Sequence, residues 1–407
     1  MECKNILGLS FLGLTCLVGA QTALAQTALQ PQAIPFGSFV LIPTLNTRTV
    51  FDDNIYSLDA NEVSSFSQVV NPNFTFLAQD RLNVYQFSYN LNAAGYANDS
   101  NDSYNDHRFS VGAHLEPSVR LRYDAGLAYS LLHDDRGTGA SSGFSLGQIR
   151  NDANGDGVFD GGIGEVDKFN LATISGGVEY GAKTARGLLV AKGDLNQKRY
   201  SRDSSVATRD NDTINVLFGL RARLMPKTTF LVDYEISDTN YDGTSPDTKD
   251  NRILAGITWE NAIQSTGKLR LGQSNRQIDG AADLDKFTWD LGLIWKPVAL
   301  DTISINGGAR ASDGVDNTTI ENTNYSVSWT HDWADRFNTT LSLGMSEDDY
   351  KGVVRTDETT TYGISANYQM RRWLVLSAGI NASDKDSTEP NVSNKRNVMS
   401  IGAQISL

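Results

Sequence analysis

Cysteine is nearly absent from this chain: the 407 residues hold two, Cys3 and Cys16, both close to the start. Beyond them no disulfide staple and no thiolate metal site can form. Histidine is scarce too, with His107, His114, His133 and His331 the full set. None stands in a recognisable motif with a nucleophile and an orienting group, so no catalytic constellation emerges. Positive charge is short: 35 Lys and Arg face 48 Asp and Glu, a formal net charge of −13, which argues against a nucleic-acid partner. After the first 25 residues no run approaches the ~18 consecutive apolar residues of a spanning helix. No sustained i, i+3, i+4 apolar pattern follows either.

The opening MECKNILGLSFLGLTCLVGAQTALAQ reads as an export signal. Lys4 and the amino terminus supply positive charge, Ile6 to Ala20 an apolar stretch, and Ala23-Leu24-Ala25 the small-x-small cleavage pattern. The expected organisation is a signal over 1–25, a short periplasmic lead over 26–38 and one domain over 39–407.

Period-two alternation dominates that domain. In TINVLFGLRARLM one phase reads Ile214, Val216, Phe218, Leu220, Ala222, Leu224; the other reads Thr213, Asn215, Leu217, Gly219, Arg221, Arg223. KFTWDLGLIWKP sets Phe287, Trp289, Leu291, Leu293 and Trp295 against Thr288, Asp290, Gly292 and Lys296. Such runs are strands with one greasy and one polar face, and they last about ten residues, the length that crosses a bilayer at a tilt. Tight connections near 79–80, 117–118, 183–184, 226–227, 264–265, 297–298, 333–334 and 370–371 alternate with longer polar ones. The longer ones lie near 52–64, 98–106, 133–167, 201–211, 241–250, 278–285, 313–318, 347–356 and 384–394. This is the pattern of an all-β, antiparallel, up-and-down barrel of a Gram-negative outer membrane, with about eighteen strands (sixteen being the neighbouring even count).

The closing SIGAQISL fits the same reading. Ser400, Gly402, Ile405 and Leu407 resemble a carboxy-terminal signal read by the barrel-assembly machinery, with Leu407 where an aromatic residue is usual. If apolar phases face lipid, basic residues of the other phase line the lumen: Arg120, Arg122, Arg221, Arg223, Arg252, Lys268, Arg270, Arg276, Lys296 and Arg310. A net basic wall beneath an acidic rim selects anions. The alternative is neutralisation within the wall, as between Arg221 and Asp233, which parity sets opposite each other.

The loop 133–167 contains NDANGDGVFDGG, close to a calcium-loop spacing. Asp152, Asn154, Asp156, Val158 (through its carbonyl) and Asp160 are the candidate ligands. Ile163 stands where a bidentate carboxylate belongs, leaving Glu165 to complete a weak Ca²⁺ site. The competing reading is that Asn, Asp and Gly simply make turns. No cofactor is required on either.

Two segments carry a resemblance to a known family. TVFDDNIYSLDANEVSSFSQVVNPNFTF ends a strand in an aromatic-Asp-Asp-Asn-Ile turn, followed by a Ser/Asn/Glu-rich loop and a strand bearing Asn71-Pro72. DKFNLATISGGVEYGAKTARGLLVAKGDLNQKRY closes on Arg199-Tyr200. Together they resemble the putative β-barrel porin 2 family. The resemblance implies a conduit for exopolysaccharide or capsular polysaccharide, served by a periplasmic export protein and an inner-membrane co-polymerase. The alternative is a general or anion-selective diffusion porin with loop 133–167 as its constriction.

Overall fold

The computed structural model describes residues 33–406 except 99, 137–165, 202–208, 263 and 315–317. The expected signal segment and the calcium-like residues Asp152 to Glu165 lie outside these. The strands are β1 (Ile34–Phe36), β2 (Phe39–Asp52), β3 (Ser65–Asp80), β4 (Asn83–Tyr96), β5 (Tyr104–Ser118), β6 (Leu121–His133) and β7 (Lys168–Tyr180). Next come β8 (Gly187–Tyr200), β9 (Asn211–Met225), β10 (Thr228–Tyr241), β11 (Thr248–Ala262), β12 (Ser265–Ile278) and β13 (Leu284–Trp295). The last six are β14 (Asp301–Asp313), β15 (Thr319–Ala334), β16 (Phe337–Lys351), β17 (Arg355–Arg371), β18 (Leu374–Ser387) and β19 (Asn394–Ser406). Each strand from β2 onward pairs antiparallel with the next, and β19 returns to β2, from Val398 opposite Asp52 to Ser406 opposite Thr44. Closure removes every strand edge, so backbone polar groups are paired within an eighteen-strand barrel. β1 adds a small hairpin onto β2, with Ile34 opposite Leu41 and Gly37 in the turn at φ 61°.

Alternation sorts the two faces. Phe218, Tyr234, Ile253, Leu271, Phe287, Tyr325 and Ile364 stand exposed on the outside, where lipid covers them. Directly opposed residues share a face. The row Gly219, Asp233, Leu254, Gly272 and Thr288 therefore runs along the inner wall. Exposed Trp295, Trp329, Trp333, Phe337, Tyr368 and Trp373 cluster by the tight turns, where amphipathic rings suit a membrane boundary.

The strands outrun their apolar bands. β3 continues to Asp80 and turns at Arg81-Leu82, with Arg81 at φ 56°; β5 continues to Ser118. The stretch 347–356, expected as a loop, is largely strand, with only 352–354 between β16 and β17. The ladder continues beyond the apolar band at both ends, because outside the bilayer a strand needs hydrogen bonds and no grease.

Candidate functional site

On the inner wall of β9 to β13 the charged residues form one network. Arg270 donates to Asp233 at 2.9 Å, to Glu235 at 2.6 Å and to both oxygens of Asp290 at 3.0 and 2.9 Å. Arg221 meets Asp233 at 2.5 Å, Arg252 meets Glu235 at 2.8 Å, and Lys268 meets Asp290 at 3.1 Å. Four cations thus hold three carboxylates. Arg221 and Asp233 do pair, but diagonally: Arg221 is opposite Leu231, and Asp233 opposite Gly219.

Glycine makes this reach available. Arg270 sits on β12 and bonds to carboxylates on β10, two strands away, across Gly256 of β11. A Cβ on Gly256 would run into the Leu269 carbonyl oxygen, and one on Gly272 into that of Ile253. The wall is creased there, so a long guanidinium can lie along it. At Gly219 a Cβ would come within 2.7 Å of both the Arg221 guanidinium and the Asp233 carboxylate.

Further pairs tie the wall elsewhere. Arg276, buried, bonds Asp250 and Asp313. Arg122 bonds Glu179 at 3.1 Å and the Gly181 carbonyl at 3.1 Å. His114 lies between Asp124 at 2.7 Å and Glu116 at 3.2 Å. Two hubs escaped the sequence reading. Asp357, fully covered, takes Arg355 at 2.6 Å and Lys385 at 2.9 Å; Asp52 takes Arg396 at 2.5 Å. Both sit at the extracellular strand ends, where the sequence looks like loop, and only alternation extended past the greasy band could have found them.

Of the expected basic lining, Arg122, Arg221, Arg252, Lys268, Arg270 and Arg276 are on the inner wall and all are paired. Arg310 is half-buried on the same face, opposite Asn322. Arg120 and Lys296 are exposed in the tight turns, outside the strands, and Arg223 is exposed at the same end of β9, opposite Thr229 and in phase with Arg221. Arg223 there donates to the Lys183 carbonyl. In the closing strand Ser400 and Gly402 face the lumen opposite Val50 and Arg48, whereas Ile405 lies beside Leu45 on the other face. Leu407 is outside the described residues.

At the mouth, the connection 53–64 folds in. Ile55, Tyr56 and Leu58 are buried and pack with Val63 and with Tyr96, whose register on β4 faces the lumen. Asn54, completely buried, is its pivot. Its side chain donates to the Leu58 carbonyl at 2.8 Å and the Lys395 carbonyl at 2.9 Å, and accepts from the Leu58 N–H at 2.9 Å. The Tyr56 hydroxyl donates to Asp102 at 2.8 Å, and Arg136 bonds the same carboxylate at 2.5 Å. Above the bilayer these apolar side chains have no lipid to enter, so they bury themselves against the inner rim. Further round that rim Leu132, Phe169 and Tyr200 form a second buried cluster, with the Lys198 ammonium 4.0 Å from the Phe169 ring centre.

The family model described as "Putative beta-barrel porin 2" matches residues 27–407. Among solved structures, Pseudomonas aeruginosa OccK2 (OpdF) is 9% identical, with a TM-score of 0.51 over 90% of this chain and 98% of that one. A BenF-like porin from Pseudomonas fluorescens Pf-5 is 10% identical, with a TM-score of 0.50 over 90% and 99%. At such identities the likeness is one of fold alone. No curated protein matches the chain.

Proposed function

The chain belongs to the putative β-barrel porin 2 family, and from that premise we propose that it is a diffusion porin passing small hydrophilic solutes across the outer membrane. The observation that carries this reading is the mouth. The connection 53–64 is anchored against the inner rim by Asn54, Tyr56 and Leu58, and in this reading it constricts the entrance to a wall lined mainly by polar and charged side chains. A narrowed polar channel sieves by size and charge and needs no energy source or partner. Residues 137–165 of the loop expected as the constriction lie outside the described residues; this reading gives a constricting role to 53–64.

Liposome swelling tests the proposal. Purified protein alone should admit pentoses and amino acids quickly and trisaccharides slowly. A polymer conduit that depends on a periplasmic export protein and a co-polymerase would give no swelling by itself. A deletion strain would then lose surface polysaccharide and accumulate it in the periplasm; on the porin reading its surface polymer is unchanged.

A further inference from the structure

Charge in the β9 to β13 network is layered, and the layering bears on what crosses the channel. Two of the three carboxylates lie deepest: the Asp233 side chain is 2% exposed and Glu235 10%. Over them sit Arg221 and Arg252, 20% and 22% exposed, and beside them Lys268, at 44%. Asp290, the most accessible of the three acids, is already held by Arg270 and Lys268. Along Arg221 and Arg252 a solute therefore meets the guanidinium ahead of its buried acid, whereas Asp290, 34% exposed, stands at the surface beside Lys268.

Among the described residues Arg252 and Lys268 each make a single ion pair, which leaves most of their donor capacity directed elsewhere. The buried acids fix the guanidinium planes, so little rotamer freedom is lost when an oxyanion docks. Four cations stand against three acids here, a surplus that the neighbouring Arg276 group, with Asp250 and Asp313 on one cation, offsets along the wall, so the anion preference comes from which groups are exposed. We infer that Arg221, Arg252 and Lys268 form an anion-docking ledge inside the channel, selecting small oxyanions, carboxylate or phosphate, as the preferred solutes. The inference rests on the porin reading and names its solute class.

Planar-bilayer recording with succinate and with inorganic phosphate as probes tests it. In a KCl gradient the reversal potential of the wild-type channel should show chloride favoured over potassium. Either probe, at millimolar concentration, should reduce the chloride current in a saturable way. The double variant Arg252→Gln with Lys268→Gln should weaken that block at least fivefold and lower anion preference, while Arg223→Gln, at the turn end, changes neither. Lys268→Gln alone, at the more exposed site, should give part of the effect, which covers a double variant that fails to assemble. Block by succinate but not phosphate would assign the ledge to carboxylates, and the reverse to phosphate. Open channels that prefer potassium, or block unchanged in both variants, would overturn the ledge and leave the porin standing. Absence of any channel in the wild type would overturn both.

Discussion

Replacing Arg270 by methionine isolates the energetics of the inner wall. Methionine keeps much of the side-chain volume and removes the one cation that touches Asp233, Glu235 and Asp290 together. Each acid retains one partner, Arg221, Arg252 and Lys268 respectively, so none is abandoned outright. The three carboxylates do lose the charge between them. At an effective dielectric near 20, two unit charges ~4–5 Å apart repel by about 3–4 kcal/mol. The remaining cations offset part of this, and stranding one member of a buried pair typically costs about 3–5 kcal/mol. A loss of about 3 kcal/mol is therefore expected for Arg270→Met. Urea unfolding of the refolded barrel in lipid, followed by tryptophan emission, measures it. Adding Asp233→Asn to the same chain should recover about 1 kcal/mol or more, because it removes one of the repelling acids. A change below about 1 kcal/mol, the range of solvent-exposed pairs, would refute the view that this network is held in a low-dielectric wall.

Two further outcomes follow from close packing. Gly272→Ala sets a methyl group against the Ile253 carbonyl and must part β11 from β12, so the folded band on an unheated gel should fall several-fold. Gly292→Ala, whose nearest neighbour is 3.6 Å away at the Asn306 side chain, should assemble normally. Asn54→Ala leaves the Leu58 N–H and two carbonyls without their buried partner, a cost of about 1–3 kcal/mol. Released from its seat, the 53–64 connection should become a protease target, and single-channel conductance should rise and grow noisier. Equal conductance and equal protease resistance would show that this loop does not govern the entrance.

Much of the barrel was legible because a bilayer imposes a simple rule on a strand. One face must be apolar, the other can be polar, and the alternation in 213–224 and 287–296 records that rule directly. Closure follows from the cost of an unpaired edge in lipid, and an even strand number from closing with every pair antiparallel. The rule weakens wherever lipid ends. At Lys351 the outward residues Glu347 and Asp349 are polar while the ladder continues, so the alternation alone ends β16 too early. Parity likewise gave the inner positions of Arg221, Arg252 and Arg270, yet could not give their partners. Those depend on register and curvature: Arg221 reaches Asp233 on the diagonal, and Arg270 crosses a strand because Gly256 and Gly272 crease the wall. The segment FDDNIYSLDANEV was visible as a polar connection, but its seating on Tyr96 joins β2 to β4 and the β19 backbone through Asn54. Sequence alone determined which face of each strand meets lipid, because that choice is local and repeats every two residues. Which charges neutralise one another, and which loop enters the mouth, were decided only by the closed barrel, which brings residues hundreds of positions apart within bonding distance.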